Sequence, residues 1–245
     1  LCDLSASPNF DFGPAGFLVT EDNYLYFTNN GITKRLYRVL LTNNWPLNYE
    51  SFDTQCSGAI FSLSQNPWTS AIWFASSAFG GTTMYLYLVN GGFSSVEEMA
   101  SFEKSHGVNA GNGPIIFQDE TTLLYGESVW GGNGYFHLLN ISTGSVTQYN
   151  YIIFNGGLAA ASYGYEGSIF VTTGNGSAVQ KLENGALTTI AETNEDAQGI
   201  VFDGTSFFIS EQTSSDFSGE ISFNALWRLK PSGGGGGCFI NSLAP

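Results

Sequence analysis

The residues with the most chemical promise are carboxylates. Glu127 and Glu211 each follow a short apolar run, Leu123-Leu124-Tyr125 and Phe207-Phe208-Ile209, so both are expected just past a strand, at the same end of their units. Glu195 and Asp196 precede the run Ile200-Val201-Phe202 and are expected at that end too. Trp130, close after Glu127, offers an indole face to a sugar ring. Two carboxylates flanking a glycosidic bond, one protonated and one ionised, are the apparatus of glycoside hydrolysis. Glu127, Glu211, Asp196 and Trp130 therefore read as a glycan-binding group, with Glu127 and Glu211 as its catalytic candidates. The first two units carry no acid at the matching end, so a third carboxylate is missing. Binding without catalysis is the preferred reading.

Other chemistries find less support. His106 and His137 lack ligand spacing to each other or to a cysteine. His106 sits in a Gly/Asn-rich loop, and His137 lies inside the apolar run Tyr135-Phe136-His137-Leu138-Leu139, where packing is its expected role. No Gly-x-Ser-x-Gly elbow supports a serine nucleophile. The acidic composition allows Ca2+, but no Asp-x-Asp-x-Asp loop occurs. Glu21-Asp22, Asp119-Glu120 and Asp203 fall between apolar runs, where Asp and its neighbours favour turns on their own account.

The chain of 245 residues carries 7 basic and 21 acidic side chains, a formal net charge of −14. That balance argues against a nucleic-acid partner, which needs a basic stripe, and against an anionic membrane surface. No apolar stretch is long enough to span a bilayer. The chain begins Leu1-Cys2-Asp3 and reads as processed. Asn140-Ile141-Ser142 and Asn175-Gly176-Ser177 permit glycosylation at Asn140 and Asn175.

A unit recurs along the chain: a Gly, an apolar run, a turn, a second run, a turn, and a third. Its starts are Gly16, Gly58, Gly113, Gly157 and Gly199, spaced near the roughly 40–50 residues of a four-stranded propeller blade. Fourth strands are expected over Tyr49 to Phe52, Val96 to Phe102, Val146 to Ile152 and Leu187 to Ala191. The alternative for the fourth strand of the second unit is a short helix over Ser95 to Glu103. The fifth unit lacks a fourth strand before its polyglycine run, and Leu4 to Phe10 is expected to supply it and close the ring. The sequence thus predicts an all-β, five-bladed β-propeller over residues 1–231, closed by its N- and C-terminal strands, and a tail over 232–245. A β-sandwich fits the strand number but not the repeat.

The third runs share a pattern, as in Leu36-Tyr37-Arg38-Val39 and Leu226-Trp227-Arg228-Leu229-Lys230-Pro231. It resembles the aromatic-Arg-aliphatic strand and Pro/Asn/Gly turn of bacterial extracellular and surface propellers. Gly233 to Ile240 resembles the polyglycine Cys-Phe-Ile box at the C-terminus of exported bacterial proteins. That resemblance implies surface sorting or attachment.

Three cysteines are an odd number. Blade topology puts Cys2 and Cys238 at one face and Cys56 at the other. Either Cys2–Cys238 staples the ring, or Cys238 bonds Cys56 of another copy in a head-to-tail string. The whole reads as a secreted or cell-surface, non-enzymatic module for structure, adhesion or filament formation, with other copies of itself or a surface glycan as partners. The alternative is a carbohydrate-active enzyme or glycan-binding propeller using Glu127, Trp130, Glu211 and Asp196.

Overall fold

The computed structural model describes residues 14–29, 34–41, 49–78, 80–104, 110–129, 134–153, 158–163, 168–173, 178–183, 186–193, 196–202, 205–212, 223–230 and 239–243. Every regular element among them is a strand. They form five four-stranded sheets. The first holds β1 (Pro14–Val19), β2 (Tyr24–Asn29), β3 (Arg35–Leu40) and β4 (Tyr49–Asp53). The second holds β5 (Ala59–Gln65), β6 (Ile72–Ser77), β7 (Thr83–Val89) and β8 (Val96–Glu103). The third holds β9 (Ala110–Phe117), β10 (Thr122–Val129), β11 (Gly134–Asn140) and β12 (Ser145–Ile153). The fourth holds β13 (Leu158–Tyr163), β14 (Ile169–Thr173), β15 (Ala178–Glu183) and β16 (Ala186–Glu192). The fifth holds β17 (Asp196–Phe202), β18 (Phe207–Gln212), β19 (Phe223–Lys230) and β20 (Phe239–Leu243). In each sheet the strands lie side by side in chain order. This is an all-β fold of meandering sheets, with the strand triplets where the repeat placed them.

The fourth strand expected over Val96 to Phe102 is β8, paired along β7, and the alternative helix does not form; the expectation that is corrected concerns the fifth sheet. The helix propensity of Glu97, Glu98, Met99 and Ala100 amounts to a few tenths of a kcal/mol each. The exposed edge of β7 offers a full ladder of backbone partners, which outweighs it. The fourth strand of the fifth sheet comes from the tail: Phe239 pairs with Lys230 and Leu243 with Leu226. Phe239 and Ile240 favour extended backbone, and the edge of β19 needs a partner. Leu4 to Phe10 lies outside the described residues, as does the polyglycine run.

The chain divides into two compact units, residues 1–124 with 139–146, and 125–138 with 147–245. In the first, Tyr26 and Leu36 of the first sheet pack with Ile60, Leu63, Phe74 and Tyr87 of the second. Trp73 meets Phe117 edge-on at 5.7 Å, and the Ile115 amide donates to Ser62 Oγ at 3.0 Å, joining β9 to the second sheet. In the second, Phe170 and Val179 pack against Ala197, Ile200, Phe207 and Ile209. Phe170 and Phe207 lie 4.4 Å apart, so the fourth and fifth sheets share one core.

The repeat glycines have a physical basis at Gly58. A Cβ built there would stand 2.0 Å from the Ser77 carbonyl carbon and 2.3 Å from the Ala78 nitrogen. Both are backbone atoms, so only glycine fits this approach. The glycines do not hold one register. Gly16 is itself the extra residue of a bulge in β1, whereas in β5 the shift falls between Ile60 and Ser62.

Candidate functional site

The backbone register makes the repeat exact where the eye could not. Phe27 of β2 pairs with Tyr37 of β3, and Phe74 of β6 pairs with Tyr87 of β7. Each pair is a ring stack, with centroids 5.1 Å and 5.0 Å apart. In the third sheet the same place is taken by Tyr125 of β10 on His137 of β11, at 4.5 Å and 7° between planes. His137 therefore stands where the first two sheets carry a tyrosine. Two residues beyond the first ring, on the same face of the second strand, lies a polar residue each time: Ser76 in β6 and Glu127 in β10. In β18 that place falls to Glu211, two beyond Ile209, which pairs with Trp227.

Glu127 and His137 bond to each other. Glu127 is 0% exposed, His137 is 2% exposed, and Glu127 Oε2 lies 2.8 Å from His137 Nε2. An unpaired carboxylate removed from water would cost several kcal/mol, so burial demands such a partner. With the carboxylate ionised, Nε2–H donates, which fixes the ring's tautomer and orientation. Burial, and then the nearby charge of Glu127, push the Tyr125 hydroxyl far above the ordinary tyrosine value, so it stays a neutral phenol. The trio is one constellation within the second compact unit: a carboxylate that orients an imidazole, under a phenol ring that holds the imidazole flat.

This corrects two sequence readings. Glu127 lies inside β10, enclosed and paired, and not just past the strand. His137 serves as the ionic partner of Glu127 as well as a packed ring. The available signal was register: aligned on Tyr37 and Tyr87, a histidine is the odd member.

The remaining candidates are dispersed. Asp196 and Glu211 come to one end of the fifth sheet, since Asp196 pairs with Gln212 and Ala197 with Glu211. Trp130, Glu195, His106, Asp203 and Asn175 lie outside the described residues. Asn140 Oδ1 accepts from the Ser142 and Thr143 amides at 3.0 Å each, shaping the turn after β11. Asp119 is likewise engaged within its turn, accepting from the Thr121 and Thr122 amides at 2.9 and 2.8 Å. Those bonds hold its carboxyl below the ordinary value, against the opposing effect of burial. Asp22 accepts from the Thr20 hydroxyl. Among the described residues, no three of His, Cys, Asp or Glu gather as a metal site.

Cys56 is a buried free thiol whose Sγ contacts the Gly58 carbonyl oxygen at 3.1 Å and the Thr54 hydroxyl at 3.0 Å. Burial to 1% exposure puts it out of reach of a cysteine on another copy. This removes support for the head-to-tail bond through Cys56. Cys2 and Cys238 lie outside the described residues.

No family model matches the sequence, and no curated protein matches it. Solved structures do match. Virginiamycin B lyase from Staphylococcus aureus is 14% identical with a TM-score of 0.64, over 96% of this chain and 71% of that one. A gluconolactonase from Xanthomonas campestris is 16% identical with a TM-score of 0.63, over 89% of this chain and 71% of that one. The PQQ-bound aldose sugar dehydrogenase from Streptomyces coelicolor is 11% identical with a TM-score of 0.62, over 94% and 80%. At these identities the likeness shows the fold, an all-β, propeller-like architecture. It also overturns the expectation of a non-enzymatic structural, adhesion or filament-forming module. That expectation rested on the lack of a visible catalytic set, and these neighbours in the same architecture are a lyase, a lactonase and a dehydrogenase.

Proposed function

We propose that this chain is an enzyme of the propeller class whose site is built on the enclosed Glu127–His137 pair, with Glu127 orienting the imidazole for proton transfer. The observation that carries the reading is the enclosed 2.8 Å bond between Glu127 and His137. It sits at a repeat position where the first two sheets carry only ring pairs. A carboxylate–imidazole pair is the common general acid–base unit, and a positioned one accelerates proton transfer by about 10²–10⁴-fold. The reaction class is hydrolysis or elimination driven by that transfer. The lactonase and lyase among the structural neighbours support that class.

The five sheets are the five blades of one ring in this reading, with β20 completing the last blade. In the first unit β1 lies against β5 and β5 against β9, and in the second β13 lies against β17. Such successive inner-strand contacts are what a ring requires.

The test of function is turnover on a panel of lactones and aryl glycosides, with wild type, His137→Gln and Glu127→Gln compared. The reading expects turnover that both substitutions reduce by about 10²-fold or more while circular dichroism stays native. Turnover that survives in a folded His137→Gln variant contradicts it.

A further inference from the structure

Of the seven large exposed apolar side chains described in the first compact unit, Met99 lies along β8 and the other six gather at one end. Val19 ends β1, Leu40 and Leu41 end β3, and Tyr49 begins β4. Trp68 caps the turn between β5 and β6, and Val146 begins β12. All six lie at one end of their sheets, the end where first strands finish and second strands start. Val19 is 61% exposed, Trp68 51% and Tyr49 44%. Hydrogen bonds tie the turns of the second and third sheets there. Asn66 Nδ2 donates to the Glu120 carbonyl at 3.1 Å, and the Ile141 amide donates to the Thr121 carbonyl at 2.8 Å. Asn66 Oδ1 also accepts from the Trp68 amide at 2.9 Å, which fixes the turn that presents the indole. Exposed apolar side chains gathered at one end of neighbouring sheets are the mark of an interaction surface.

The charge around the rim selects the occupant. Glu21, Asp22, Glu50, Asp119 and Glu120 are exposed in the same turns and strand ends. Among the described residues of this end the basic side chain is Arg38. It is committed to Glu50 at 2.8 Å and lies over the Tyr24 and Phe93 rings at 4.9 and 4.5 Å. Lys34, Arg35 and Lys104 sit at the opposite strand ends. The rim is thus apolar, flanked by acids, on a chain of net charge −14. A second copy would bring the same acids against these and be repelled, as would an anionic membrane.

We propose that this rim docks a basic amphipathic peptide segment of a partner protein. The partner's apolar residues cover Trp68, Leu41 and their neighbours, and its Lys or Arg side chains meet the flanking carboxylates. The surface is separate from Glu127 and His137, and its test does not depend on their activity.

The experiment titrates the full chain with a fluorescent amphipathic peptide of Lys and Leu, and with a Glu and Leu peptide of the same pattern. The proposal expects saturable binding of the first and none of the second. Trp68→Ser and Leu41→Ser should each weaken it about tenfold, as truncation of an interface anchor does. Glu120→Gln should weaken it and steepen nothing else, whereas Glu103→Gln, the same charge change at the far end of the second sheet, should leave it unchanged. Equal effects of Glu120→Gln and Glu103→Gln would mean diffuse charge attraction and overturn the proposal. So would absence of saturable binding, or sedimentation showing a self-dimer that Trp68→Ser abolishes.

Discussion

Replacing His137 by Phe tests the pair without opening a hole. A ring already occupies the equivalent places at Tyr37 and Tyr87, so phenylalanine can stack on Tyr125. What it cannot do is meet Glu127, which has 0% exposure and so gains nothing from solvent. Removing one partner of a buried ion pair costs about 3–5 kcal/mol. Set against a total stability of about 5–15 kcal/mol, that is a large share. Glu127→Leu, which leaves the imidazole, should cost less at neutral pH, because a neutral histidine is the easier group to bury. The double variant should recover to within about 2 kcal/mol of wild type, since an apolar replacement of both partners is often neutral or stabilising. The assay is urea unfolding followed by tryptophan fluorescence, read as a double-mutant cycle. A His137→Phe cost below about 1 kcal/mol, or additive single costs, would refute the reasoning. The double variant also separates folding from chemistry, since it should be stable and inactive.

Four other outcomes follow from the geometry. Gly58→Ala should destabilise by at least about 1–3 kcal/mol in the same assay, because its methyl would collide with backbone of β6 and must move it. The Asp119 carboxyl titrates below the ordinary value in the fold, so its stabilising effect is complete above the unfolded value of 3.8 and is lost as pH falls through the folded one. Asp119→Ala should therefore remove part of the acid sensitivity of unfolding in that low-pH window and change nothing in its slope near neutrality. Burial raises both Tyr125 and Tyr87, so ultraviolet titration of the native protein should show these two phenols ionising after the exposed tyrosines, or only with unfolding. Cys56 should react with a thiol reagent at the rate of unfolding and not at the rate of an exposed cysteine.

The strand triplets were legible because alternation and turn residues are local signals. Tyr24-Leu25-Tyr26-Phe27 and Leu36-Tyr37-Arg38-Val39 announce a hairpin without any knowledge of what lies across from it. The fourth strand of the fifth sheet was not legible, because five glycines separate it from β19 and nothing local says that Phe239 turns back onto Lys230. The strand over Val96 to Phe102 was legible, although Glu97-Glu98-Met99-Ala100 also allows a helix, and the edge of β7 decides for β8. At the site, Glu127 was visible as a candidate, but its partner was not. Pairing across strands depends on register, and a bulge shifts register by one residue, so Gly16 and Gly58, equivalent in the sequence repeat, take places that differ in the ladder. Once Phe27–Tyr37 and Phe74–Tyr87 fix the ladder, His137 and Glu127 fall into place together.

The central claim is that the bond between Glu127 and His137 is needed for turnover. The most direct measurement is kcat/KM for wild type and Glu127→Gln on whichever panel substrate is turned over. The account predicts that the folded Glu127→Gln variant loses about 10²-fold or more. An unchanged kcat/KM in the folded variant would contradict it.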